Sequence, residues 1–442
     1  MTMRKIKHFF ISAAVISLNV ILPASAQNCW TLDDCLDYAR ENNIDIQRRL
    51  VEIEMQKANL NISNSAWLPS VGAALDGDVD FGKSAKLLGM SDLTDSRKNT
   101  FQATGSINAS MPVFGGFRIK NQVESDRFLL EAATADLEKA KKDLGIQVAT
   151  YYLQCLYYKS LVDVLRNQLE VSGNLVERSR VLVQEGRKPE ADLAYAKAQF
   201  AEDEYNLKDA EGNSVIALME LAQLMNLESP GDFDVVDIEG DRDIPLTSPS
   251  EIYEESIASF PSIVSAENMI KSMERNVEVA KADYYPQLSL VAGVATGYNQ
   301  IFENEFPSVY PISLKDNLYE YAGLKLTFSI FNRNITKNRI NRAKLQIDDR
   351  KLSLVDARLN LRKEIQTAYT NAVVAQGERQ SALKAVEATE LSIMYEQERY
   401  ESGRGNIFDL QSAMQKCLNA KMKAVQSKYE YLIRLRILDF YK

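Results

Sequence analysis

Histidine is almost missing from this chain. The 442 residues contain one, His8, and it sits in a segment expected to be removed from the finished protein. That segment reads as an export signal over residues 1–26: Arg4, Lys5 and Lys7 lead into an apolar run from Phe9 to Leu22, and Ala24-Ser25-Ala26 supplies the small residues of a cleavage site. Cleavage there leaves no histidine, which removes the usual general base and the usual zinc ligand together. A phosphate-cradling GxxxxGK[ST] loop and a GxSxG nucleophile turn are also lacking. No catalytic residue, cofactor site or metal site is assigned, and an exported hydrolase has little to work with. Past Gln27 there is no run of 18 apolar residues, so no helix is expected to span a bilayer. Any crossing must be made by strands.

Positive charge is in short supply too. The full chain has 52 Lys+Arg against 61 Asp+Glu, a balance of −9. Removing three signal-segment cations leaves 49 against 61, or −12. An acidic surface argues against nucleic acid as a partner. Cysteine is sparse, with four residues. In an oxidising compartment Cys29 and Cys35 either pair or stay as free thiols, because Thr31 reads as a helix cap that leaves Cys29 outside the helix. Cys155 and Cys417 fall inside helical patterns as small core residues.

What the chain does have is two alternating periods. A helical pattern over 31–66 ends at Trp67-Leu68-Pro69, and the period then changes to two. Val71, Ala73, Leu75, Val79 and Phe81 alternate with Ser70, Gly72, Ala74, Asp76, Asp78 and Asp80. Phe101, Ala103, Ile107, Ala109, Met111 and Val113 alternate with Gln102, Thr104, Ser106, Asn108 and Ser110. Runs of about 11–13 residues suit tilted strands crossing a bilayer with one apolar and one wet face. Strands are therefore expected at about 69–82 and 100–114, with the Asp76, Asp78 and Asp80 face wet.

A helical pattern of roughly 70 residues follows, about 100 Å at 1.5 Å per residue. Leu130, Leu137, Leu144, Tyr151, Tyr158 and Leu165 recur every seventh position, the mark of a coiled-coil seam. Gly186 ends it, Pro189 opens a return helix, and an acidic linker occupies 228–250. The plan then repeats. Pro69 and Pro286, Phe114 and Phe331, Asn121 and Asn338, and Gly186 and Gly403 all stand 217 residues apart. Strand parity and heptad phase carry over, predicting strands at about 286–299 and 318–331. The first repeat is set at 27–245 with its tip at 186–192, and the second at 246–442 with its tip at 403–409. Four strands cannot close a barrel, so copies must join edge to edge. The loops at 83–99 and 301–317 are expected on the far side of the membrane.

Trp30-Thr31-Leu32, Leu68-Pro69, Tyr285-Pro286, Met111-Pro112-Val113-Phe114-Gly115-Gly116 and the two glycine-to-Asp-Leu tips, in this order and duplicated, make the chain similar to the TolC-type outer-membrane efflux protein (OEP) family. The resemblance implies a mainly α fold with transmembrane β: a homotrimer whose strands form a 12-stranded outer-membrane barrel continued by a periplasmic α-helical barrel. It implies an exit duct for a tripartite efflux pump or type I secretion system. The expected partners are a periplasmic adaptor, an inner-membrane pump of the RND or ABC type, and outer-membrane lipid. A periplasmic coiled-coil adaptor is the alternative, although it leaves four amphipathic strands unexplained.

The resemblance also implies site roles. Asp409 matches an acid that rings the periplasmic entrance. A second acid of that ring is replaced by Ser412, and the arginine expected at Gly405 stands one place early as Arg404. Asp409, Arg404 and Asp192 are thus the candidate entrance residues; Gly186, Arg187, Lys188, Gly403 and Gly405 are the candidate adaptor-docking tips. Asp192 and Asp409 also suit the first turn of a helix, where the dipole favours a carboxylate. The three glycines are expected at positive φ. Trp67, Phe114, Tyr284, Tyr285 and Phe331 bracket the strand ends as an interfacial girdle or as core aromatics, with Phe81, Tyr298 and Phe302 toward the other rim.

Overall fold

The structure is a computed structural model that describes residues 28–81, 99–227, 233–238, 245–302, 315 and 317–442. The expected signal segment and most of both expected outer loops lie outside the described residues. The period-two segments form one antiparallel sheet, ordered β2 (Ser70–Asp80), β3 (Asn99–Phe114), β5 (Gln287–Phe302) and β6 (Tyr319–Thr327). The register puts Ala73 opposite Ile107, Ile107 opposite Val294, and Gly293 opposite Tyr321. Small or polar Gly72, Asn108, Gly293 and Tyr321 therefore share one face, and apolar Val71, Ala109, Ala292 and Ala322 the other. Leu75 on the apolar face is 89% exposed, as a side chain meant for lipid should be.

Three strands depart from expectation. β5 runs to Phe302, past the expected 299 and into the stretch expected as an outer loop, because β3 pairs with it out to Asn99. β3 carries a bulge between Pro112 and Phe114, where proline has no N–H for the ladder. β6 stops at Thr327, short of the expected 331, because its only partner begins at Gln287.

The helical periods give α1 (Leu32–Asn42), α2 (Ile44–Ser65), α3 (Arg118–Gln184), α4 (Glu190–Met225), α5 (Pro249–Ser256), α6 (Pro261–Lys281), α7 (Ile335–Glu401) and α8 (Ile407–Asp439). The segment expected as one helix over 31–66 is two. Thr31 caps the first in a reciprocal box with Asp34. Asn43 breaks the run with ψ 132° and accepts from the N–H groups of Asp45 and Ile46, restarting it. Helices α3 and α7 are each 67 residues long. Both begin after two successive left-handed residues, Gly116-Phe117 and Arg333-Asn334, so the 217-residue repeat is preserved in backbone angles. Along α3 lie α1, α2 and α4; along α7 lie α5, α6 and α8. Contacts of α3 with α6 and α8 join the repeats.

The core is thickest midway along the helices, around Leu144, Val148, Tyr152, Leu153 and Leu156 of α3. Part of the acidic linker proves ordered here. β4 (Phe233–Val235) pairs in parallel with β1 (Asn28–Trp30). The Tyr152 hydroxyl lies 2.6 Å from the Val236 carbonyl and 3.1 Å from that of Trp30, sharing its proton between them. Lys159 pairs with Asp234 at 2.8 Å. Cys29 is held in β1 and exposed, while Cys35 is buried on the inner face of α1, and the two stand as free thiols in the structure. Cys155 and Cys417 are buried core residues.

Candidate functional site: the paired hairpin tips

Each hairpin turns on a left-handed glycine, Gly186 at φ 69° and Gly403 at φ 75°. Arg187 N–H returns to Leu182 O and Arg404 N–H to Arg399 O, both at 2.9 Å, closing the last helical turns the same way. Gly405 is not at positive φ, contrary to expectation. A Cβ there would stand 3.0 Å from Tyr400 N and 3.1 Å from the Arg399 carbonyl carbon, so its place reflects close backbone packing. Pro189 precedes α4 as its cap, with Glu190 and Asp192 in the first turn. Asn406 caps α8 by accepting from Asp409 N–H at 2.8 Å.

The structure separates the expected entrance residues. Among the described residues, neither Asp409 nor Arg404 enters an ion pair, and both are exposed. Asp192 instead accepts from the Tyr400 hydroxyl at 3.4 Å. Lys188 lies over the same ring, 4.3 Å from its centroid. Tyr400 is 2% exposed, and burial is the leading cause that pushes its phenol above the ordinary value. Glu401, the next residue of α7, pairs with Arg178 of α3 at 2.7 Å. A Gln397 hydrogen bond, then Arg178, holds that carboxylate below its usual range. The two hairpins are thus joined by Tyr400, Arg178 and Glu401, which sequence reasoning missed, together with Lys188 and Asp192, which it named. The offset could have pointed to Tyr400: its first-repeat counterpart is Val183, a site where the copies differ.

Above these links the hairpins part around a cleft of about 430 Å³ between α3, α7 and α8, lined by Leu175, Arg178, Glu390, Met414, Cys417 and Lys421. Beside it Tyr195 and Phe408 meet edge to face at 4.6 Å, and Phe408 remains 55% exposed. Arg187 keeps only a 3.5 Å contact with Glu185. The tips therefore offer cations, an aromatic pair and unpaired Asp409.

At the other end of the helices, Trp67, Tyr284, Tyr285 and Phe331 are exposed and Phe114 is half-buried against Phe117 at 5.5 Å. All five lie where strands meet helices. Phe81 is exposed beyond β2, and Tyr298 tilts against Phe101 at 6.1 Å. Among the described residues there is no cluster of metal-ligating side chains and no helix apolar enough to cross a membrane.

Known proteins share this arrangement. A sequence profile described as "Outer membrane efflux protein" matches residues 35–227 and 252–441. Outer membrane efflux protein BepC of Brucella suis biovar 1 is 19% identical over 425 residues, covering 96% of this chain and 87% of that one. Pyoverdine export outer membrane protein OpmQ of Pseudomonas putida is 24% identical over 286 residues, 62% of this chain and 59% of its own. The Campylobacter jejuni CmeC outer membrane channel superposes with a TM-score of 0.77 at 19% identity, over 93% of this chain and 85% of that chain. CusC superposes at 0.76 and 16% identity, over 93% and 91%. The adaptor alternative is set aside, since these relatives are outer-membrane channels. This protein extends from the outer membrane into the periplasm as an efflux channel, and the chain belongs to the outer membrane efflux protein family.

Proposed function

We propose that three copies close into one exit duct that takes cargo from a periplasmic adaptor and an inner-membrane pump of the RND or ABC type. The single observation that carries assembly is the sheet. β2 and β6 each end it with an unpaired edge, and a free edge in lipid costs several kcal/mol per backbone group. Three is the number the family resemblance implies; three sheets of four strands make twelve. The apolar face meets outer-membrane lipid, with Trp67, Phe114, Tyr284, Tyr285 and Phe331 at the inner interface. The acidic chain has no role toward nucleic acid. The units 27–245 and 246–442 are two copies of one plan, following a cleaved segment at 1–26.

The tips serve as docking and entrance elements. Gly186, Arg187, Lys188, Gly403 and Gly405 present the turns to the adaptor, and Asp409 lines the entrance as an unpaired acid. Tyr400 with Asp192, and Arg178 with Glu401, hold the two hairpins together when the entrance is narrow. The assembly is tested by running the outer-membrane fraction on gels with and without heating. A trimer-sized band that collapses to 49.8 kDa on heating is expected for the unprocessed chain, slightly less after cleavage. A protein that is monomeric in unheated membranes overturns the reading.

A further inference from the structure

Resting on the trimeric reading, we propose that β6 pairs with β2 of a second copy in one defined register, which sets Lys325 directly opposite Asp76 on the wet face.

The register follows from the repeat. β2 and β3 stand to each other as β5 and β6 do: Ser70 faces Ser110, and 217 residues on, Gln287 faces Thr327. The junction between repeats within one copy is β3 against β5, and its counterpart between copies is β6 against β2. In the inner junction Asn108 faces Gly293, Ala109 faces Ala292 and Ile107 faces Val294. Moving one strand forward and the other back by 217 residues places Lys325 opposite Asp76, Leu326 opposite Leu75 and Leu324 opposite Gly77.

Each pair inherits the parity of β3 with β5, so Leu326 meets Leu75 and Ala322 meets Val79 on the apolar face, although Gly77 stands opposite Leu324 and Phe81 opposite Glu320. Two further features agree with that register. Opposite charges come face to face, and neither Asp76 nor Lys325 has an ion-pair partner among the described residues. Directly opposed unlike charges favour a strand pair. The short end of β6 is also explained. β3 continues past β2, from Met111 to Phe114, on pairing with β5 alone. The equivalent stretch, Phe328 to Phe331, lies beyond the end of β5 and in one copy has nothing to pair with. In the proposed junction Phe328 meets Ala73, and the strand regains the length expected from sequence. Ile330, 91% exposed in one copy, then joins the lipid-facing row.

The test is oxidative cross-linking in outer membranes of a Cys29→Ser background, since Cys29 is the one exposed native thiol among the four. Asp76→Cys with Lys325→Cys places Cβ atoms about 4.5–5.5 Å apart, whereas pairs shifted by two residues stand roughly 7–8 Å apart. A disulfide needs about 3.5–4.5 Å, which the directly opposed pair reaches with a small backbone adjustment and the shifted pairs do not. Asp76→Cys with Lys325→Cys is expected to cross-link severalfold more than Ala74→Cys or Asp78→Cys with the same Lys325→Cys. A heat-labile trimer that cross-links best through a shifted pair overturns the register and leaves the trimer standing. Absence of any oligomer in the unmodified protein overturns both. A second arm needs no cysteine: Lys325→Asp is expected to lower the temperature at which the trimer dissociates, and Asp76→Lys in the same chain to restore it. Failure of the exchange to restore it, with the trimer still formed, counts against the pair.

Discussion

Tyr400 and Asp409 illustrate how neighbouring side chains divide two tasks that a sequence pattern assigns to one. Tyr400 is buried and spans the two hairpins; Asp409 is exposed and touches no cation among the described residues. Their substitutions should therefore differ in kind. Tyr400→Phe removes one hydrogen bond per protomer, worth about 0.5–1.5 kcal/mol, and is expected to raise single-channel conductance in planar bilayers with ion selectivity unchanged. Asp409→Ala is expected to reduce preference for cations, because a ring of carboxylates is lost. Equal behaviour of the two variants would show that latch and filter are not separate. The cysteines give a second prediction at this scale. Burial, then the Asp34 carboxylate, pushes the Cys35 thiol up to about 12, and burial foremost pushes Cys155 to about 12. Only thiolates alkylate readily. At pH of about 8 a maleimide should add once per native chain, at Cys29, and four times after denaturation. More than one native addition contradicts the buried positions.

Among the elements, those with a long unbroken period were legible in the sequence. The four strands fall in the expected segments, with β5 longer and β6 shorter than expected, the two 67-residue helices follow them, and the glycine turns fall on Gly186 and Gly403. Three-residue strands carry no period, so β1 and β4 were not visible within a polar linker. Asn43 was equally hidden, because one capping side chain interrupts a helical pattern without disturbing it on either side. The partners of Tyr400 were unreadable for another reason: Asp192 lies 208 positions away in sequence, and only the packing of one hairpin on the other brings them together. The tip turns are also where an element can be broken without touching the membrane part. Gly403 sits at φ 75°, which proline, fixed near −65°, cannot adopt. Gly403→Pro is expected to leave heat-labile trimers intact and to abolish pump-dependent export. Unimpaired export would remove the tip from the docking surface.

For the whole molecule, the ribbon of β1 and β4 has a consequence for the order of events during biogenesis. Trp30 is paired with Val235, and Tyr152, which hydrogen-bonds to both sides of that ribbon, lies between them in sequence. A chain delivered from its N-terminus presents β1 at once and β4 only after about 200 further residues have followed. The first strand of the finished protein thus stays without a partner while the first hairpin and its long helix are already available to fold. Closing so long a loop is a late and slow step. The ribbon acts as a completion seal, fastened only once the first repeat has arrived entire, and a chain cut short before Val235 has its N-terminal end left loose for proteases to find.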